Sequence, residues 1–152
     1  GGVDIGFDKV SGVGQTRFTF GWSYFGADFQ YEYSGIGQRN LATHVMLRFK
    51  PKNFIEPAIA LGYRNIVYGN TVRHGIEVGV PHRYVFWRQG LRSFGLELRP
   101  TLFFGLGSLE GGLEGALVYS VAEFLQVRAG GKVHSFGDQL FGGFIGGASL
   151  VF

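Results

Sequence analysis

The 152-residue sequence has no cysteine, one methionine, two tryptophans and four prolines. Without cysteine, a disulfide framework is excluded. No apolar run approaches the roughly 20 residues that a spanning helix requires, so any insertion into a bilayer must be by strands. Lys and Arg number 14 against 11 acids, for a net charge of +3, but the arginines stand singly among the acids. They make no basic stripe with nucleic-acid spacing, so nucleic acid is not an expected partner. A basic, apolar, small-residue leader is absent too, which gives the expectation of the mature part of an exported protein. The glycine-rich stretches Gly105-Leu106-Gly107 and Gly111-Gly112 lack the lysine and the strand-to-helix context of a phosphate loop. No pair of histidines has metal-ligand spacing. The sequence therefore predicts no cofactor, no metal and no enzyme.

What is abundant is glycine and aromatic residues: 27 Gly, 16 Phe and 7 Tyr. This is a skewed mixture for a soluble globule. The order of these residues is more informative than their number. Phe18, Phe20, Trp22 and Tyr24 alternate with Arg17, Thr19, Gly21 and Ser23. Beyond Gly26-Ala27 the alternation resumes, Phe29, Tyr31 and Tyr33 against Asp28, Gln30, Glu32 and Ser34. A two-residue turn at Gly26-Ala27 would set Tyr24 against Phe29, Trp22 against Tyr31 and Phe20 against Tyr33. One face of that hairpin is an aromatic wall and the other is polar, the period-2 signature of a transmembrane β-barrel strand.

Alternation and turn signals together predict a single all-β domain over 1–152, an antiparallel up-and-down barrel of about ten strands. The strands are expected near residues 3–10, 15–25, 27–34, 41–50, 54–68, 71–87, 92–104, 109–120, 123–136 and 139–152. The stretch near Pro81 is less regular, and Pro100 interrupts the seventh strand because proline cannot donate to a ladder. If 18–33 form one long bent strand and 3–10 lie outside the wall, eight strands result. Gly69-Asn70 sets a second two-residue hairpin, with Val67, Tyr63, Leu61 and Ile59 opposite Val72, Ile76, Val78 and Val80. The last hairpin sets Gly131 opposite Phe144, Val133 opposite Gly142 and Leu125 opposite Leu150, so bulky residues cover glycines on the neighbouring strand.

The sequence stops at Phe152, with Leu150, Ala148 and Phe144 on the same parity. In this it resembles bacterial outer-membrane β-barrel proteins, whose last strand ends in an aromatic residue after alternating apolar positions. The resemblance implies a Gram-negative outer membrane, with lipopolysaccharide in the surrounding bilayer and both termini periplasmic. It also implies recognition of the last strand by the barrel-insertion machinery. The chain departs from many members of that class in the shortness of all its expected outer turns.

If the aromatic parity faces lipid, the charged parity faces the lumen. Asp8 and Arg17, Arg48 and Glu56, and Arg99 and Glu114 then fall directly opposite one another, while Arg64 and Glu77, or Glu114 and Arg128, are diagonal partners. Glu97 and Lys132 complete this lumen network, and His44 is expected inward near Glu32. A lipid-facing Arg or Lys near midplane would cost about 2 to 4 kcal/mol, so the segregation is the one a bilayer requires. A soluble barrel would instead solvate that face with Lys, Thr and Ser. Trp22, Tyr24, Phe25, Tyr84, Phe86, Trp87, Tyr119, Phe124 and Phe152 are expected at the end that holds the termini, as an interface girdle.

About ten strands lie near the size at which side chains fill the interior. The sequence alone therefore favours a largely plugged barrel, structural or embedded in a larger envelope assembly with a protein partner. The alternative is a narrow porin-like channel for ions or small polar solutes. A third reading, a lipid-modifying enzyme, would need a histidine converging with an acid or serine at one rim. His134-Ser135 has the residue types of outer-membrane lipid deacylases, but adjacent strand residues point to opposite faces. His74 is expected outward beside Asn65.

Overall fold

The computed structural model describes residues 2–7, 14–22, 24–33, 37–51, 54–122, 125–136 and 139–151. For 2–7, 14–16, 18–22, 136, 139–141 and 147–151, only the backbone is described. Among these residues the regular elements are all strands: β1 (Gly2–Phe7), β2 (Gly14–Trp22), β3 (Phe25–Tyr33), β4 (Arg39–Arg48), β5 (Ile55–Tyr68), β6 (Thr71–Gly79), β7 (His82–Gln89), β8 (Arg92–Gly105), β9 (Ser108–Ala122), β10 (Leu125–Phe136) and β11 (Gln139–Val151). Apart from β6 and β7, which do not pair with each other, consecutive strands pair antiparallel, and β1 also pairs with β11. The sheet thus closes on itself and leaves no edge to template association.

β6 and β7 occupy one place in the wall. β5 pairs with β6 through Ala60↔Gly79 and with β7 through Pro57↔His82, and β8 meets both in the same order. The eleven segments therefore make ten staves, as the alternation predicts, and the eight-stave arrangement does not form. The expected single sixth strand breaks at Val80-Pro81. Three prolines gather at this break: the amides of Val80, Ala58 and Phe49 donate to the carbonyls of Pro100, Pro81 and Pro57. An interrupted ladder is where a missing proline donor is tolerated. A bulge between Val85 and Trp87 follows, with Phe86 exposed.

Two hairpins follow the sequence pattern residue for residue. Gly69 (φ 57°) opens the β5–β6 turn, with Val67↔Val72, Tyr63↔Ile76 and Leu61↔Val78 as expected, although the ladder ends at Ala60↔Gly79, one pair short of Ile59 and Val80. The positive φ favours glycine there. In β10–β11 the pairs Gly131↔Phe144, Val133↔Gly142 and Leu125↔Leu150 all form.

Two other hairpins are shifted. β2 and β3 turn at 23–24 instead of Gly26-Ala27, giving Trp22↔Phe25, Phe20↔Ala27 and Phe18↔Phe29. In β1–β2, Arg17 lies opposite Asp4, not Asp8, which is outside the described residues. Both slips are by an even number of residues. Alternation forbids an odd slip, which would turn every side chain to the wrong face, but it is blind to an even one.

The interior and exterior are inverted relative to a soluble barrel. Val45, Leu61, Ile76, Leu102, Leu113 and Phe144 are exposed around the outside, Val45 at 66% and Phe144 at 65%. Asp28, Glu32, His44, Arg64, Glu77, Glu114 and Arg128 are buried inside. Water would not tolerate so large a contiguous apolar exterior, whereas hydrocarbon requires it.

Candidate functional site

The lumen is a concave, charged region that this fold builds. β3 and β4 show why these residues reach it. β3 alternates strictly between exposed and buried positions and β4 does so as far as Leu47, so Asp28, Gln30 and Glu32 on β3 and Asn40, His44 and Met46 on β4 project inward together.

These side chains form a continuous circuit. Lys132 on β10 pairs with Glu32 on β3, and Asn40 Nδ2 donates to the same carboxylate at 2.6 Å. Arg64 Nε donates to Asn40 Oδ1 at 3.0 Å and its guanidinium pairs with Glu77. His44 Nε2 lies 2.8 Å from Glu77 Oε1, and its Nδ1 lies 3.7 Å from Asp28 Oδ2. Asp28 takes Arg17 and Arg99, each at 3.5 Å. Arg17 donates to Gln30 at 2.6 Å and to Glu114 at 3.0 Å, and Glu114 also takes Arg128. With Arg128 the circuit returns to β10.

Three of these contacts are chords across the barrel. Lys132–Glu32, Arg17–Glu114 and Arg99–Asp28 each join staves separated by three others along the shorter way round. Opposite walls are thereby tied together at mid-lumen. A cavity of about 40 Å³ remains among Arg17, Asp28, His44, Glu77, Arg99 and Lys132. That is room for a few water molecules.

Of the residues singled out from the sequence, Arg17, Arg64, Glu77, Arg99, Glu114, Arg128 and Lys132 meet in this circuit, with Glu97 bound to Arg99. The two diagonal pairs, Arg64 with Glu77 and Glu114 with Arg128, are in contact. Arg99 lies opposite Glu114 in register, but its ion pairs go to Glu97 and Asp28. Arg48 does not join: it faces Ala58 in register and is exposed. Glu56 lies two residues past that pair, opposite Arg83, and bonds Arg88 at 3.1 Å. The β4–β5 connection is longer than the tight turn expected, and this displaces the pair. His44 bonds Glu77 and Asp28, while the expected neighbour Glu32 is taken by Lys132 and Asn40.

Sequence reasoning left Asp28, Arg73, Arg83 and Glu110 out of the network. All four share the inward parity, and Arg73 pairs with Glu110 at 2.6 Å. Parity alone could have found them. His134 and Ser135 diverge: Ser135 Oγ bonds the backbone of Gly111 on the outer side of the wall. His74 is exposed beside Asn65 and stacks on Tyr63, with ring centroids 6.4 Å apart. Tyr24, Phe25, Phe86, Trp87 and Tyr119 are exposed near the end where β1 begins and β11 ends, and Tyr84 is half-buried there. Phe124 and Phe152 lie outside the described residues, as does the side chain of Trp22. Phe49, Phe54 and Phe94 are further exposed aromatics at that end.

A closed antiparallel wall, apolar outside and charged inside, defines the class of small β-barrels built for a bilayer. Comparison with known proteins agrees at the level of fold. No protein-family model matches the chain, and no curated protein sequence does. Among solved structures, it is similar to the KdgM porin in complex with disordered oligogalacturonate, at 9% identity and a TM-score of 0.56, over 100% of this chain and 99% of that one. It is also similar to the NanC porin, at 10% identity and a TM-score of 0.61, over 99% of each chain. The chain has the fold of bacterial outer-membrane porins.

Proposed function

We propose that this protein is a narrow porin-like channel of a bacterial outer membrane, passing ions and small polar solutes through a charged constriction. The observation that carries this reading is the water-sized cavity enclosed by fixed charges of both signs at mid-lumen. Rings of charged side chains select permeating solutes when the path between them stays wet. The porin fold and the apolar exterior support the membrane setting. Ten staves and three chords keep the bore small, which favours single ions and small solutes over oligomers.

One observation favours a second reading. The chords bring opposite walls into direct ionic contact, Arg17 to Glu114 at 3.0 Å, as a plug would. In that reading the barrel is a structural or assembly-embedded component. Single-channel recording of the refolded chain in a planar bilayer separates the two, with a heat-modifiability gel to confirm folding. Steady conductance that changes when Arg99 is neutralised supports the channel, and a folded but silent barrel supports the plug.

A further inference from the structure

The lumen charges are matched almost one for one. Arg17, Arg64, Arg73, Arg99, Arg128 and Lys132 each have a carboxylate partner. Arg83 on β7 is the exception among the described lumen arginines and lysines that are not exposed. The two acids opposite it in register, Glu56 and Glu97, are bonded to Arg88 and Arg99 instead.

What Arg83 has is two hydroxyls. Its Nη2 points to Ser93 Oγ at 3.4 Å and to Ser120 Oγ at 3.3 Å, and Ser93 donates to Ser120 at 3.1 Å. Both arginine contacts are longer than a normal N–H to oxygen bond. Its Nε is buried with no partner at all. Ser93 and Ser120 are directly opposed on β8 and β9, and both are buried. The arginine itself is half-buried, and it lies towards the end where β1 begins.

We propose that Arg83, Ser93 and Ser120 form a binding site for a small oxyanion, a carboxylate or a phosphate. The fork presents Nε and Nη2 side by side, the geometry in which a guanidinium donates to two oxygens of one anion. The serine hydroxyls rotate freely enough for one to keep its serine partner while the other donates to the anion. Bound anion neutralises the lone cation and completes the charge matching of the lumen. The site depends on local geometry alone and stands whether or not the barrel conducts.

The test uses the full refolded chain in detergent micelles at constant ionic strength, with folding confirmed by heat modifiability. Inorganic phosphate is followed by 31P line broadening and acetate by saturation-transfer proton NMR. The wild-type chain is expected to bind at least one of them, and which one responds identifies the source. Arg83→Gln is expected to weaken binding about tenfold or more, since it removes hydrogen bonds to a charged group. The double variant Ser93→Ala with Ser120→Ala keeps the charge and is expected to weaken binding by a smaller factor. Arg92→Gln, at an exposed position of β8 on the same end, is expected to leave it unchanged. Absence of wild-type binding to both probes overturns the proposal. So does binding that survives both the Arg83 and the double-serine changes. A silent channel that still binds through Arg83 refutes the conduction reading and leaves this one intact.

Discussion

Glu114→Gln is the most informative single change to the lumen. The Glu114 side chain is only 7% exposed and holds two guanidinium groups, Arg17 across the barrel and Arg128 on the adjacent strand. Glutamine keeps the volume and one acceptor oxygen but removes the charge, so two buried cations lose their shared counterion. Breaking a buried pair by removing one partner costs about 3 to 5 kcal/mol. Arg17 retains Asp28 and Gln30, which places the expected loss near the lower end, about 3 kcal/mol. With a urea dependence of about 2 kcal/mol per molar, the unfolding midpoint should fall by about 1.5 M. Trp22 and Trp87 serve as fluorescence probes for titration of the chain in lipid vesicles. The control is Arg88→Gln, because the Arg88–Glu56 pair is 62% and 33% exposed and such pairs contribute about 0 to 1 kcal/mol. If Glu114→Gln shifts the midpoint no further than Arg88→Gln, the lumen charges do not hold opposite walls together. The network argument then fails.

Other consequences follow from wall and lumen alike. A Cβ at Gly130 would lie 1.9 Å from the Gly115 carbonyl oxygen and 2.5 Å from Ala116 Cα. Gly130→Ala is therefore expected to disrupt the β9–β10 ladder and abolish the heat-modifiable folded band on a gel. Leu61→Arg puts a charge on the lipid face between Val45 and Val78, and should cost about 2 to 4 kcal/mol in equilibrium refolding into vesicles. Lys132→Gln removes a cation that lines the central cavity and leaves the Glu32 carboxylate without its cross-lumen partner. In the channel reading, reversal potentials under a salt gradient should then move toward cation selectivity.

The sequence by itself determined the parity of this protein. Aromatic and aliphatic residues alternate with glycine and charge along nearly every strand, and adjacent side chains on a strand must point to opposite faces. That rule decides which residues meet lipid and which meet one another, and from it follow the antiparallel ten-stave wall, the apolar exterior and the charged interior. Where a two-residue turn carries its own signal, as at Gly69-Asn70, local chemistry also settles the register.

Only the tertiary structure decided which charges touch. The pairing of β2 with β3 slips by an even number of residues from the pattern-matched register, and the displacement of Glu56 from Arg48 is also even. Every side chain keeps its face in such a slip, so alternation carries no information about it. Closure matters still more. Arg17 reaches Glu114 from 97 residues away, and Lys132 reaches Glu32 from 100, because β1 seals against β11 and brings opposite walls within one side-chain pair of each other. The same closure leaves Arg83 beside two serines instead of a carboxylate. A linear pattern records the face of each residue, but a contact across the bore depends on the diameter and stagger of the closed barrel, which the whole ring sets together.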